Sequence, residues 1–397
     1  FFFFFFCAQF SQISSSESVS EKYTFMSDNF GGIKMSQKKQ LDIELMRILA
    51  AFFVIFNHTG TTGFFLFSLY DMHSLHFWFY LAISIFCKFS VPLFFMISGA
   101  LMLHRPPESL KNLWLHRVFH IGVVLLCWSL FYYLVAVHEG SEVFSIKHFL
   151  TQLYDSNWNG SYWYLYAYIP LLITLPLLQR IAQNISNKEY LYLFSLFSIF
   201  AMFVPSIQYL LFQGRHSLNG NFSFGWIGTN IFIFPLAGYF LQHRAKDFWN
   251  IRRIALLWIA NICSILFSCY LTYLRAQVMG VCDEGHSQAF HGTFVLINCV
   301  TLFVTFQYLQ NHTHLLECLQ QPISSIGGCT FGIYLVHIYI RDHIRNHLLP
   351  PSRLWTLYLH HLPPMLYAFF FCAVIFFCGY LITLILKRIP ILKKLVS

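Results

Sequence analysis

The chain has 397 residues, of which 57% are hydrophobic, 20% aromatic and 10% charged, with a formal net charge of +9. Roughly a quarter of a soluble globular protein is charged, so these few charges cannot clothe a water-facing surface of this size, and lipid is the expected surrounding. A basic balance in a soluble protein suggests nucleic acid; here Lys and Arg sit mostly between apolar runs, so no nucleic-acid partner is expected and the bilayer takes that place.

Phe1 to Phe6 is a homopolymer too short to span a bilayer, without the basic start of a signal peptide. Ser11 to Asn29 is polar and serine-rich. Residues 1–38 are therefore expected to form a disordered polar leader, and 39–397 one membrane domain. A crossing needs about 20 predominantly apolar residues. Approximate candidates are 43–62, 78–103, 118–137, 161–180, 189–211, 227–242, 250–274, 290–309, 327–346 and 363–386. The expected fold is all-α, a polytopic membrane bundle of about ten transmembrane helices. Segment 227–242 is short and 327–346 opens on Gly327-Gly328, which makes these two the weakest spans.

Alternating the segments puts seventeen Lys and Arg on one side and six on the other. Cytoplasmic loops carry the excess, so both termini are expected in the cytoplasm. No loop after residue 40 is long enough for a soluble domain, so any chemistry must use groups in the helices or at their ends. Most of the eleven cysteines lie in apolar runs with no C-x-x-C pair, where cysteine acts as a small hydrophobe. No metal is expected. His73 and His76, and His312 and His314, lack the further ligands a zinc site needs and read as loop histidines.

The first segment holds Arg47 and His58. Ionisable groups inside a span are costly and are functional candidates by default. Eleven residues at about 100° each return to within roughly 20° of the same direction, about 16 Å further along the axis. The two side chains therefore mark two depths of one polar stripe. Arg47 could instead snorkel to the headgroups, and His58 could be a satisfied histidine; their common face favours function. Lys88, inside the second segment, either snorkels outward or helps hold a polar acceptor. Pro92 frees a backbone carbonyl and kinks its helix, while Ser98 and Gly99 suit close helix approach. In the ninth segment Tyr334, His337 and Arg341 share a face. They serve either a cavity shared with His58 or hydrogen bonding between helices. Trp158, Tyr162, Trp163 and Tyr164 read as an aromatic interface belt, with a sugar-stacking platform second.

Glu44-Leu-Met-Arg47 followed by His58 resembles the opening Arg-x10-His signature of the acyltransferase-3 family of integral membrane acyltransferases. Ser90-Val-Pro-Leu-Phe-Phe-Met-Ile-Ser-Gly99 is similar to that family's Val-Pro-Leu-Phe-Phe-x-x-Ser-Gly stretch. Trp163-Tyr-Leu-Tyr-Ala-Tyr and Thr330-Phe-Gly-Ile-Tyr-Leu-Val-His337 match in type and order. The resemblance covers about residues 41–388 and is nearest in type to the inner-membrane O-acetyltransferases of surface polysaccharides. Two positions depart from it: Glu44 stands where the family usually has Asp, and Arg117 with His120 stands where it often has Arg-x-x-Arg.

The resemblance implies transfer of an acyl group, expected to be acetyl, from cytoplasmic acyl-CoA to a hydroxyl of a carbohydrate or glycolipid, with no tightly bound cofactor. An alcohol attacks a thioester only as a base takes its proton, and histidine has a suitable pKa. His58 is the expected base, and Arg47 the group that positions the donor or stabilises negative charge. A transient acyl-enzyme is the alternative. Arg117 is expected to attract the donor's phosphates; Glu44, Ser98, Tyr334 and His337 complete the expected binding set. Without the resemblance, a transporter or permease using the same stripe is the rival reading, and a membrane scaffold the third.

Overall fold

The computed structural model describes residues 40–222, 224–226, 228–313, 318–348 and 363–396; the expected leader, His314 and Arg353 lie outside the described residues. The fold is all-α, with no strand among the described residues. In chain order the principal helices are α1 (Leu41–Asn57), α2 (Leu75–Cys87), α3 (Ser90–Met102), α4 (Phe119–His138), α5 (Ile146–Asp155), α6 (Trp163–Asn184), α7 (Asn187–Phe197), α8 (Val204–Phe212), α9 (Ile233–His243), α10 (Ile251–Met279), α11 (Val295–His312), α12 (Gln320–Gly327), α13 (Thr330–His343) and α14 (Pro364–Leu386). Helix starts are set locally. The Ser74, Ser186 and Asn250 side chains accept the backbone N–H of Phe77, Glu189 and Arg253, satisfying donors that a helix N-terminus leaves open.

A helix occupies each of the ten apolar segments, but fewer have the length and apolarity of a full crossing. Six stretches qualify: Leu75–Met102, Leu110–His138, Trp163–Asn184, Asn187–Phe212, Ile251–Met279 and Pro364–Leu386. A seventh is added if Gln320–Gly327 and Thr330–Asn346, bent by 60°, count as one span. The other three segments correspond to α1, α9 and α11. At 17 residues α1 is about 25 Å long, short of a hydrocarbon layer of about 30 Å. The 11 residues of α9 are shorter still, and Ile233 to Gln242 are all buried. A helix enclosed by others need not match the bilayer, because its ends meet protein rather than lipid.

The centre of the bundle is the α3–α9 pair. A methyl group added at Gly99 would strike the Pro235 backbone, and one added at Gly238 would strike the Met96 backbone. These reciprocal small positions let the two backbones touch. The span Leu75–Met102 is broken in its middle, between α2 and α3. Pro92 has no N–H to offer the carbonyl four residues back, that of Lys88. Freed backbone groups at this depth need protein partners. Asn57 Nδ2 approaches the Cys87 carbonyl at 3.4 Å and donates to Ser90 Oγ at 2.8 Å, and Cys299 Sγ lies 3.6 Å from the Phe89 carbonyl. Helix α1 stops level with this break. Gly60 takes φ +60° just beyond His58, a left-handed turn that glycine enters without steric cost, and the chain continues as buried irregular structure through Phe64 to Phe67.

Candidate active site: two cavities that share a wall

One cavity, of about 350 Å³, is lined by Arg47, Ser98, Tyr164, Tyr168, Thr330 and Tyr334 among others. Arg47 Nη1 donates to Glu44 Oε1 at 2.9 Å, one helical turn back. Glu44 lies against Gly327, where any Cβ would collide with its carboxylate. The α12–α13 bend thus passes close over the Glu44–Arg47 pair and supplies Gly327, Gly328, Thr330 and Phe331 to the wall. Ser98 Oγ donates to the Phe94 carbonyl at 2.9 Å and faces this cavity, whereas its neighbour Gly99 packs on α9. The Tyr334 ring lines the wall and its hydroxyl donates to the Ser161 carbonyl at 2.7 Å.

Arg117 stands just behind that wall. It pairs with Glu108 Oε1 at 2.5 Å and reaches Met102 Sδ at 3.7 Å, the same sulfur that Tyr168 of the wall meets at 3.9 Å. It sits in a π-helical turn, Leu113–Val118. Its guanidinium is half-buried and already carries a carboxylate, so an incoming phosphate would have to displace Glu108. His120 lines neither cavity.

The second cavity, of about 790 Å³, is lined by Asn57, His58, Lys88, Pro92, Trp163, Asn230 and Gln288 among others. The His58 and His337 rings lie 5.4 Å apart between centroids. His337 is fully buried, and its Nδ1 lies 2.6 Å from the Tyr334 carbonyl. A carbonyl only accepts, so Nδ1 carries the proton and Nε2 the lone pair. That Nε2 has no hydrogen-bond partner among the described residues. His337 is thus held in one tautomer and packs beside His58 without itself lining either cavity. Arg341 Nη1 donates to the His58 carbonyl at 2.7 Å, while Nη2 and Nε reach Asp342 Oδ1 at 2.7 and 2.8 Å. A cation at the C-terminal end of α1 also suits the helix dipole.

Val54 and Val91 belong to both walls. Arg47 and Val54 on α1 and His58 at its C-cap follow at i, i+7 and i+11, one face of the helix. The polar stripe expected from spacing is therefore interrupted by a valine, with the arginine in one cavity and the histidine in the next.

Other groups that shape the site carry weaker signals. Asn57, beside His58, ties α1 to the broken span, and its Oδ1 is buried without a partner among the described residues. The Tyr132 hydroxyl accepts from Tyr339 N at 3.1 Å and reaches the Leu335 carbonyl at 3.2 Å. A helix pairs those two backbone groups with each other, so Tyr132 adds a partner to both beside His337, within the continuous helix α13. The face of Tyr334, His337 and Arg341 was visible in the spacing; the partner of Arg341, the His58 backbone, was not. The expected aromatic belt divides. Tyr162 is fully buried and donates to the Leu335 carbonyl, Tyr164 lines the Arg47 cavity, and Trp163, 38% exposed, lines the His58 cavity. Among the described residues no group of three or more His, Cys, Asp or Glu is arranged to hold a metal.

Searches of curated proteins and of solved structures gave no match. Residues 40–384 match the acyltransferase-3 family, described as an acyltransferase domain. That stretch contains every residue lining the two cavities, and the chain belongs to this family as a multi-pass membrane acyltransferase.

Proposed function

We propose that the protein transfers an acyl group, most simply acetyl, from cytoplasmic acyl-CoA to a hydroxyl of a cell-surface carbohydrate or its lipid-linked precursor. The observation that carries this reading is the pair of cavities meeting at Val54 and Val91, with Arg47 in one and His58 in the other. A group passed between two substrates that enter from opposite sides needs two chambers and one point of contact.

The donor occupies the Arg47 cavity, with its thioester at the valine constriction. Arg47 positions the donor or balances charge developing on the thioester oxygen. The acceptor occupies the His58 cavity. His58 takes the hydroxyl proton as that oxygen attacks the carbonyl carbon, and the thiolate leaves and is protonated. The unprotonated Nε2 of His337 lies on the His58 side and stabilises the imidazolium that forms. Arg341 holds the His58 backbone while this happens. Both termini lie in the cytoplasm on this reading, as the Lys and Arg bias favours.

The test uses the purified full chain in lipid nanodiscs with acetyl-CoA labelled in the acetyl group. Label appearing on a saccharide supplied with the protein, dependent on His58, is the expected result. Uptake of an intact saccharide into proteoliposomes without release of free CoA would replace this reading with transport.

A further inference from the structure

Lys88 is the fourteenth of the 28 residues in the span Leu75–Met102. It falls at the break between α2 and α3, and its side chain crosses to Gln288 in the segment between α10 and α11. This span is also an enclosed one, with 56% of its apolar window buried against 28% for Pro364–Leu386.

The ammonium has only neutral company. Nζ donates to Gln288 Oε1 at 2.9 Å and stands 4.8 Å from the centre of the Phe64 ring. Among the described residues no carboxylate lies within ion-pair distance of it, and the lining of the His58 cavity includes no Asp or Glu. Three arginines of the site each pair with a carboxylate: Arg47 with Glu44, Arg117 with Glu108 and Arg341 with Asp342. A charge at the middle of a span is costly and is kept where it faces a cavity and serves a ligand. Lys88 lines the same cavity as His58.

We infer that the His58 cavity takes acceptors bearing an anionic group, a carboxylate or a phosphate, which Lys88 holds while the acceptor hydroxyl lies at His58. The inference rests on reading that cavity as the acceptor side. Lysine binds such a group as a point charge, so the rule it sets is the sign of the charge near the reacting hydroxyl rather than the identity of the sugar.

The experiment is equilibrium binding of three labelled probes to the full chain in nanodiscs, without acyl-CoA: methyl glucuronide, glucose 1-phosphate and methyl glucoside. The wild type is expected to bind one anionic probe about ten- to a hundred-fold more tightly than the neutral one, as fits one charge-assisted hydrogen bond. Whichever anionic probe binds more tightly separates a carboxylate acceptor from a phosphate acceptor. Lys88→Met should erase the preference, whereas Lys88→Arg and Gln288→Leu should keep it, each in protein that elutes as the wild type does on gel filtration. Equal affinity for charged and neutral probes, absence of saturable binding of either anion, or a preference that survives Lys88→Met overturns the inference. Because no donor is present, the outcome is separable from the acyl-transfer reading. Anion preference without any transfer removes that reading and leaves the site; transfer to methyl glucoside and methyl glucuronide with the same KM does the reverse.

Discussion

The two cavities differ in ways that match two different ligands. The Arg47 cavity is about 350 Å³, walled largely by aromatic and aliphatic side chains, and its cation is matched by Glu44 on the same helix. The His58 cavity is about 790 Å³ and carries Asn57, Lys88, Asn230 and Gln288, with its cation unmatched. A narrow chamber with balanced charge suits a thin, flexible arm carrying a thioester. A wide chamber with open hydrogen-bonding groups and a net positive charge suits a hydrated polar acceptor. The construction differs too. The first chamber is closed by the bend between α12 and α13, the second by the break between α2 and α3 and the early end of α1. Each lies where a helix is interrupted, which at membrane depth is tolerated only where protein or a wet cavity meets the freed groups.

The largest effect is expected from the chemistry of the His58 side. His58→Gln keeps a hydrogen-bonding side chain and removes the base, and acyl transfer should fall by about a hundred- to ten-thousand-fold. The measurement is transfer in membranes holding matched amounts of each variant; full activity in His58→Gln would remove histidine from the base role. The shared wall comes next. Val54→Trp fills the contact between the cavities and should lower transfer by about a hundred-fold or more, in line with the cost of misplacing reacting atoms by about an ångström. Acyl-CoA affinity should change far less, because the bulk of the Arg47 cavity remains open. Equal losses in binding and transfer would mean that the valine is merely structural.

Two changes probe the Arg47 side and should be smaller. Arg47→Lys keeps the charge and loses the planar fork, so kcat/KM should drop by about ten- to a hundred-fold, as for one charge-assisted hydrogen bond. Wild-type kinetics in this variant would return Arg47 to a headgroup contact. Glu108→Gln releases Arg117 from its half-exposed ion pair. Such pairs contribute about 1 kcal/mol or less, so KM for acyl-CoA should fall by no more than about five-fold, with kcat unchanged. Arg117→Ala should move KM in the opposite direction. If neither substitution alters KM, donor phosphates bind elsewhere.

Much of this architecture was legible in the chain. Low charge and long apolar runs specify a lipid-facing helical bundle, since nothing else can cover so much apolar surface. The eleven-residue step from Arg47 to His58 and the three- and four-residue steps through Tyr334, His337 and Arg341 fixed which side chains share a face, because helical periodicity is local. Pro92 announced a break in its span for the same reason.

The tertiary structure decided what those faces meet. Where each helix begins and ends decides which of the ten segments is long enough to cross: α1 stops at 17 residues and α9 at 11, the latter buried from Ile233 to Gln242. Ser98 and Gly99 are adjacent small residues in one motif, yet one faces a cavity and the other a backbone, a difference set by where α9 passes. The partner of Lys88 was open while only its own helix was known; it is Gln288, two hundred positions away, met at the break between α2 and α3. Local spacing determines direction along and around one helix; the pairing of His58 with His337, the valine wall and the unmatched charge of Lys88 arise from contacts between helices, and the sequence order of those helices does not specify their distances.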